Sequence, residues 1–175
     1  MRTVGPAESG FGSASHLARR FVASLWPGGP KAADDAWARS LLIDREQLLW
    51  GRMSGPDRRH AVAVAQRVAR HQAGIDGAAL PAALLHDVGK VESGLGPLRR
   101  AAATVLALGV GRDRAARGQG RMARYLRHDI VGAQLLEAAG SRHLTVAWAR
   151  EHHLPAHRWT VPAEVAEALK AADDD

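Results

Sequence analysis

The chain has 175 residues, 46% of them hydrophobic, which is enough for one domain with a sizeable core and too little for two independent ones. It has no cysteine, so disulfides and thiolate metal sites are excluded and any metal must be held by histidine and carboxylate. The formal charge of +6 is scattered along the chain and falls almost wholly on arginine, with Lys31, Lys90 and Lys170 the three lysines; that scatter fits solvated helix faces, and a nucleic-acid partner is not expected.

Aromatics make up only 5%, β-branched residues are thinly spread, and Ala, Leu, Arg and Glu dominate, so local preference favours an all-α fold. Met1 to Ser15 lack the apolar core of a signal peptide, and no run approaches the roughly 20 apolar residues that span a bilayer. A cytoplasmic protein with no membrane partner is the expectation. Leu17, Phe21 and Leu25 form one helical stripe over residues 16–26, which Pro27-Gly28-Gly29-Pro30 ends. The pattern predicts a second helix over Ala32–Leu42, with Asp34 and Asp35 near its positive end and Trp37 and Leu41 inward, and a short third around Glu46–Met53 carrying Leu49 and Trp50. Together these make residues 1–55 an N-terminal helical extension packed on the core, and residues 56–175 the main unit.

Ser54-Gly55-Pro56-Asp57 opens a helix that runs to about His71, with Ala61, Val64, Ala65 and Val68 buried and His60 beside that stripe in the first turn. Pro81 begins a helix that ends at His86-Asp87, where Gly89 would supply a left-handed terminus. Pro97 begins another through Leu108, whose apolar stretch from Val105 to Val110 reads as core, and Gly109–Gly120 reads as a mobile loop or lid. Three further helices come next, over Asp129–Ala139, His143–His153 and Pro162–Ala172, with a structured loop at Leu154–Val161. Trp37, Trp50 and Trp148 are expected in the core, and Trp159 in that loop is placed to stack a base. His16, His71, His143 and His157 have no motif context and read as surface or capping residues. In the last helix Val165, Ala168 or Leu169, and Ala172 point inward, so Asp173 is the first terminal carboxylate to follow the stripe, whereas Asp174 and Asp175 read as a solvated tail.

The chemistry centres on Leu84-Leu85-His86-Asp87-Val88-Gly89-Lys90. Adjacent helical residues point about 100° apart, so His86 and Asp87 cannot share a face within a helix. At a helix end they can converge on a metal beside the last turn, or Asp87 can bridge two metals with its two oxygens. Bridged ions acidify water to hydroxide at neutral pH and neutralise charge on a phosphoryl group during attack.

The string Ala-Leu-Leu-His-Asp-Val-Gly-Lys, with His60 upstream in Arg-Arg-His-Ala-Val, resembles the HD superfamily of metal-dependent phosphohydrolases over roughly Pro56 to Asp175. The resemblance implies a compact all-α bundle in which His60, His86, Asp87 and Asp173 hold a first metal. Arg127-His128-Asp129-Ile130-Val131-Gly132-Ala133-Gln134-Leu135-Leu136 and Glu151-His152-His153 look like the elements that the HD-GYP-like branch adds, which implies a second metal on Asp87, His128 and His152 or His153. That branch carries Glu and then Gly-Tyr-Pro after its histidine pair, where this chain has Leu154-Pro155-Ala156-His157-Arg158. Cyclic dinucleotides are therefore not the expected substrate. One or two divalent ions are implied as cofactors, with manganese, iron, magnesium and zinc all suited to such ligands.

Lys90 has two readings, a phosphate-binding catalytic cation beside Asp87 and a lysine favoured by a helix C-terminus. Arg59, Arg124 and Arg127, with His153, are further candidates for holding substrate. The resulting reading is a metal-dependent phosphohydrolase that uses a metal-bridging hydroxide on a nucleotide or similar small phosphoester. The alternative is a non-catalytic metal-containing HD domain that senses a nucleotide.

Overall fold

In the computed structural model, residues 28–71, 77–96, 102–103, 105–106, 109 and 111–174 are described. The stripe of residues 16–26, His16 and Asp175 lie outside them, as do the side chain of His71 and most of the segment expected as a helix from Pro97. Among the described residues the secondary structure is helical, without strands: α1 Ala32–Ser40, α2 Asp44–Arg52, α3 Gly55–His71, α4 Ala79–Leu85, a 3-10 turn Val88–Glu92, α5 Arg112–Ala116, α6 Arg121–Leu126, α7 His128–Ala139, α8 His143–Glu151, a 3-10 turn Ala156–Arg158, and α9 Ala163–Asp174. The all-α expectation holds.

The short helix α4 sits at the centre, packed by α3, α8 and α9. Ala79, Pro81, Ala82, Ala83, Leu84 and Leu85 are all buried, as befits a helix that is apolar all round. Around it Ala61, Val64, Ala65 and Val68 of α3, Trp148 of α8 and Leu169 of α9 fill one core. Most of these are small residues, so the helix backbones pack closely and the side chains at the end of α4 lie near those of its neighbours.

The N-terminal helices join the same core through Ala38, Leu49 and Trp50. Their polar fastening is Asp35. Its carboxylate accepts Trp50 Nε1 at 2.9 Å, Arg58 Nη1 at 3.0 Å and Arg39 Nε at 2.7 Å, which ties α1 to α2 and to α3. Burial acts to raise the Asp35 pKa, but these donors and the two guanidinium charges outweigh it and hold the group below the ordinary carboxylate value. Glu46 accepts the Ile43 N–H at 3.1 Å at the start of α2, and Ser54 Oγ accepts the Asp57 N–H at 3.3 Å at the start of α3. Helix α7 ends at Gly140 with φ +76° and two closing bonds, Gly140 N–H to Glu137 O and Ser141 N–H to Leu136 O.

Four expectations need correction. Gly89 is not left-handed; positive φ among the described glycines falls at Gly94, Gly111 and Gly140. Gly89 is instead a close-approach position, because a Cβ there would overlap the His128 carbonyl oxygen and lie 2.5 Å from Gly132 N. Second, the Gly109–Gly120 segment is not wholly loop: residues 112–116 form α5, since arginine and alanine are good helix formers even where glycines flank them. Third, the sequence pattern missed α6, which encloses Leu126 and Ala103 in a small satellite cluster with Met122, Tyr125, Ala115 and Ala116. Fourth, Val105 and Leu106 are exposed, because an unbroken apolar run goes all round a helix whereas this cluster buries only one side, through Ala103.

Candidate metal centre

The last turn of α4 runs out at Leu85, and His86 and Asp87 occupy the turn between it and the Val88–Glu92 3-10 turn. Leaving the helix is what lets the two side chains converge. His86 Nε2 lies 3.4 Å from Asp87 Oδ2. Around them the folded chain gathers two sets of potential ligands. His60, His86 and Asp173 form one, and Asp87, His128, His152 and His153 the other, with the candidate donor atoms of each set within 4.8 Å of one another.

Asp87 stands between the sets. Its Oδ2 faces His86 and Lys90, while its Oδ1 lies 3.1 Å from His128 Nε2 and 3.8 Å from His152 Nε2. On the other side Asp173 Oδ1 lies 2.9 Å from His60 Nε2 and 3.7 Å from His86 Nε2. His128 Nε2 and His153 Nε2 are 3.1 Å apart. Asp87, His86, His128, His152 and Asp173 are all buried, and His153 is the most exposed member of its set.

The orientation of three rings is set by their outer partners. His86 Nδ1 donates to Ala83 O at 2.8 Å, His128 Nδ1 to Tyr125 O at 2.7 Å, and His152 Nδ1 to Ala149 O at 3.0 Å. A carbonyl oxygen can only accept, so each Nδ1 carries a hydrogen, and in the neutral form of such a ring it is the Nε2 lone pair that turns inward. Two of these, His86 Nε2 and His152 Nε2, are buried without a hydrogen-bond partner among the described residues. Such a lone pair is costly to bury, and one aimed at carboxylate oxygens is repelled unless a proton or a cation lies between. Oriented Nε2 donors with carboxylate oxygens and no sulfur are a donor set for a divalent ion, and the Nδ1–carbonyl bonds are the outer support that such ligands have. The residues fit divalent metal.

Electrostatics separate the three most buried groups. Burial acts to raise the Asp87 pKa, but Lys90 and His86, with the hydrogen bond to His128, hold it well below the usual carboxylate value. Burial acts to lower that of His86, and the charges of Asp87 and Asp173 reverse it to a net increase. His152 is pushed well down, by burial first and then by His86.

Residues 58–174 match the family model of the HD domain. The chain belongs to the HD domain family. That superfamily is one of metal-dependent phosphohydrolases. No curated protein and no solved structure matches the chain.

The other expected site residues fall in different places within this HD domain. The Lys90 ammonium pairs with Asp87 Oδ2, so it turns back toward the carboxylate cluster instead of lying along a helix end. Arg59 donates to Gly28 O, and Arg127 Nη1 donates to Ala116 O at 2.9 Å, so both tie down backbone; Arg124 is exposed. Trp159 is half-buried, donates its indole N–H to Glu151 O and Leu154 O, and makes a T-shaped contact with Trp148, so it takes part in packing beside the end of α8. His143 and His157 are exposed, as expected for residues outside the motifs. Asp174 is exposed and pairs with Lys170, which leaves Asp173 as the inward carboxylate of α9. Two residues gave no clear sign of their roles in the sequence: Tyr125, whose carbonyl fixes His128 and whose ring stacks on it at 5.7 Å, and Glu151, a buried carboxylate. Tyr125, the one tyrosine of the chain, three residues before the motif histidine, was the available signal.

Proposed function

We propose that this HD domain hydrolyses a phosphoester of a nucleotide or a related small molecule in the cytoplasm, with one or two divalent ions held by His60, His86, Asp87 and Asp173 and by Asp87, His128, His152 and His153. Residues 1–55 serve as a helical extension packed on the domain. The observation that carries this reading is Asp87, whose two oxygens turn to opposite sides, each toward a different set of histidine nitrogens. When bound, such ions acidify water and neutralise charge at phosphorus.

The chain's own residues do the rest. Asp87 stays ionised because Lys90 and the surrounding imidazoles favour its charged form, so it remains an acceptor for cations throughout the neutral range. The buried walls keep bulk water from competing for the inward nitrogens. Lys90, at the rim of the cluster with its side chain 12% exposed, supplies the cation that holds a phosphate oxygen, and the more exposed His153 faces the entering substrate.

The test joins elemental analysis of protein prepared without chelator and re-loaded with manganese, iron or zinc to phosphate release across a panel of nucleotides, nucleotide monoesters and cyclic dinucleotides. At least one metal per chain and turnover of one phosphoester class are expected. Metal with nucleotide binding but no release on any substrate would replace the enzyme by a sensor domain; no metal under any loading would end both readings.

A further inference from the structure

Glu151 is the last residue of α8, its side chain is buried, and a carboxylate at a helix C-terminus opposes the helix dipole. Its position is therefore not explained by the helix. Its oxygens are fully employed elsewhere: Oε1 accepts the Thr160 hydroxyl at 2.5 Å, and Oε2 accepts the N–H groups of Thr160 at 2.6 Å and Val161 at 3.3 Å. Its own carbonyl accepts Trp159 Nε1 at 3.1 Å and the Leu154 N–H at 2.7 Å. One residue thus fastens both ends of the 154–161 connection to the end of α8.

The histidine pair comes next in the chain. His152 and His153 occupy the turn immediately after Glu151, with their ring centroids 4.0 Å apart. The carbonyls that fix the His152 ring belong to Trp148 and Ala149, and Trp148 is braced by Trp159 at 5.8 Å. A turn just beyond a helix end frays unless something outside the helix holds it. Here that something is the buried carboxylate and the strap it anchors.

We propose that Glu151 is a positioning residue: through the Thr160–Val161 strap it fixes the end of α8 so that His152 and His153 face Asp87 and His128. This rests on reading the second histidine set as a metal site, and Glu151 touches no metal itself.

The experiment compares wild type, Glu151→Ala and Glu151→Gln in the full chain. The amide of Gln can keep the strap, its oxygen taking both backbone N–H groups and its NH2 donating to the Thr160 hydroxyl, whereas Ala cannot. In metal-free protein, imidazole NMR signals of His152 and His153 are expected to shift or broaden in Glu151→Ala and to return near wild type in Glu151→Gln. Manganese titration should then show one class of site weakened about tenfold to hundredfold in Glu151→Ala, the range for loss of an outer-shell support, with the other class unchanged. Unmoved imidazole signals in Glu151→Ala would overturn the positioning role irrespective of metal. A wild type that binds no second equivalent would instead remove the metal reading, leaving the imidazole signals to decide the positioning role. If Glu151→Ala does not fold, Thr160→Val, which removes only the hydroxyl donor, should give a smaller shift of the same signals, and no shift would count against the proposal.

Discussion

The two histidine sets on either side of Asp87 are assembled by different means. His128, His152 and His153 come from α7 and the end of α8, which are consecutive in the chain and pack directly, and the rings of His128 and His152 are locked by carbonyls three residues back. His60 and Asp173, by contrast, lie 113 residues apart and meet because α9 docks on α3. The first arrangement depends mainly on local helix geometry, the second on a long-range docking event. His60 also keeps 23% of its side-chain surface exposed where His152 keeps 1%. A set made by neighbouring helices depends on few contacts distant in sequence, whereas one closed by a terminal helix depends on that helix staying docked.

Asp87→Ala should have the largest effect because it removes the group common to both sets; metal content and phosphoester turnover are expected to fall at least about hundredfold, by elemental analysis and phosphate release. Loss at only one set would show that the carboxylate does not bridge. Gly89→Ala should break the contact between the Asp87 turn and α7, since its Cβ meets backbone and not a movable side chain. A cost of about 1–3 kcal/mol by denaturant unfolding is expected, along with weakened binding at the set that includes His128.

Asp173→Asn addresses the long-range set alone. Its metal affinity should drop roughly tenfold to hundredfold while Asp174→Asn leaves affinity unchanged in the same titration. The reverse result would mean that α9 is rotated. Lys90→Ala should raise KM or lower kcat about tenfold, the worth of one charge-assisted hydrogen bond, with metal content intact. The smallest effect is expected from Asp35→Asn, which lies in neither set and serves as the control for stability. The folded-state pKa of Asp35 is depressed, so its contribution is present above the unfolded carboxylate value near 3.8 and is lost as pH falls below it. About 1 kcal/mol of stability should go at neutral pH, less at low pH, because the group is partly solvated; metal affinities should not move.

The Leu84–Lys90 string could be read as chemistry because His, Asp and Lys at the end of an apolar helix have few other reasons to stand together. The inward register of Asp173 was legible too, since α9 has a clean apolar stripe of Ala168, Leu169 and Ala172 for it to follow. Gly89 shows the limit: its glycine looked like a turn residue, but the constraint is the α7 backbone pressed against it, which has no local signature. The backbone contacts of Arg59, Arg127 and Trp159 likewise have no local signature. Sequence does not show which carbonyl a polar side chain near a motif will meet; in the fold an N–H of each reaches the backbone at Gly28, Ala116 and Glu151.

Sequence alone determined the helical class and the stripes of α3 and α9, because helical periodicity is a property of residues and their near neighbours, while the candidate metal ligands came from the resemblance of its motifs to the HD superfamily. Only the tertiary structure decided how those groups are divided. That Asp87 turns one oxygen to each set, and that His86 and His152 bury nitrogens without a hydrogen-bond partner among the described residues, depend on helices far apart in sequence packing at distances set by small side chains and two facing glycines.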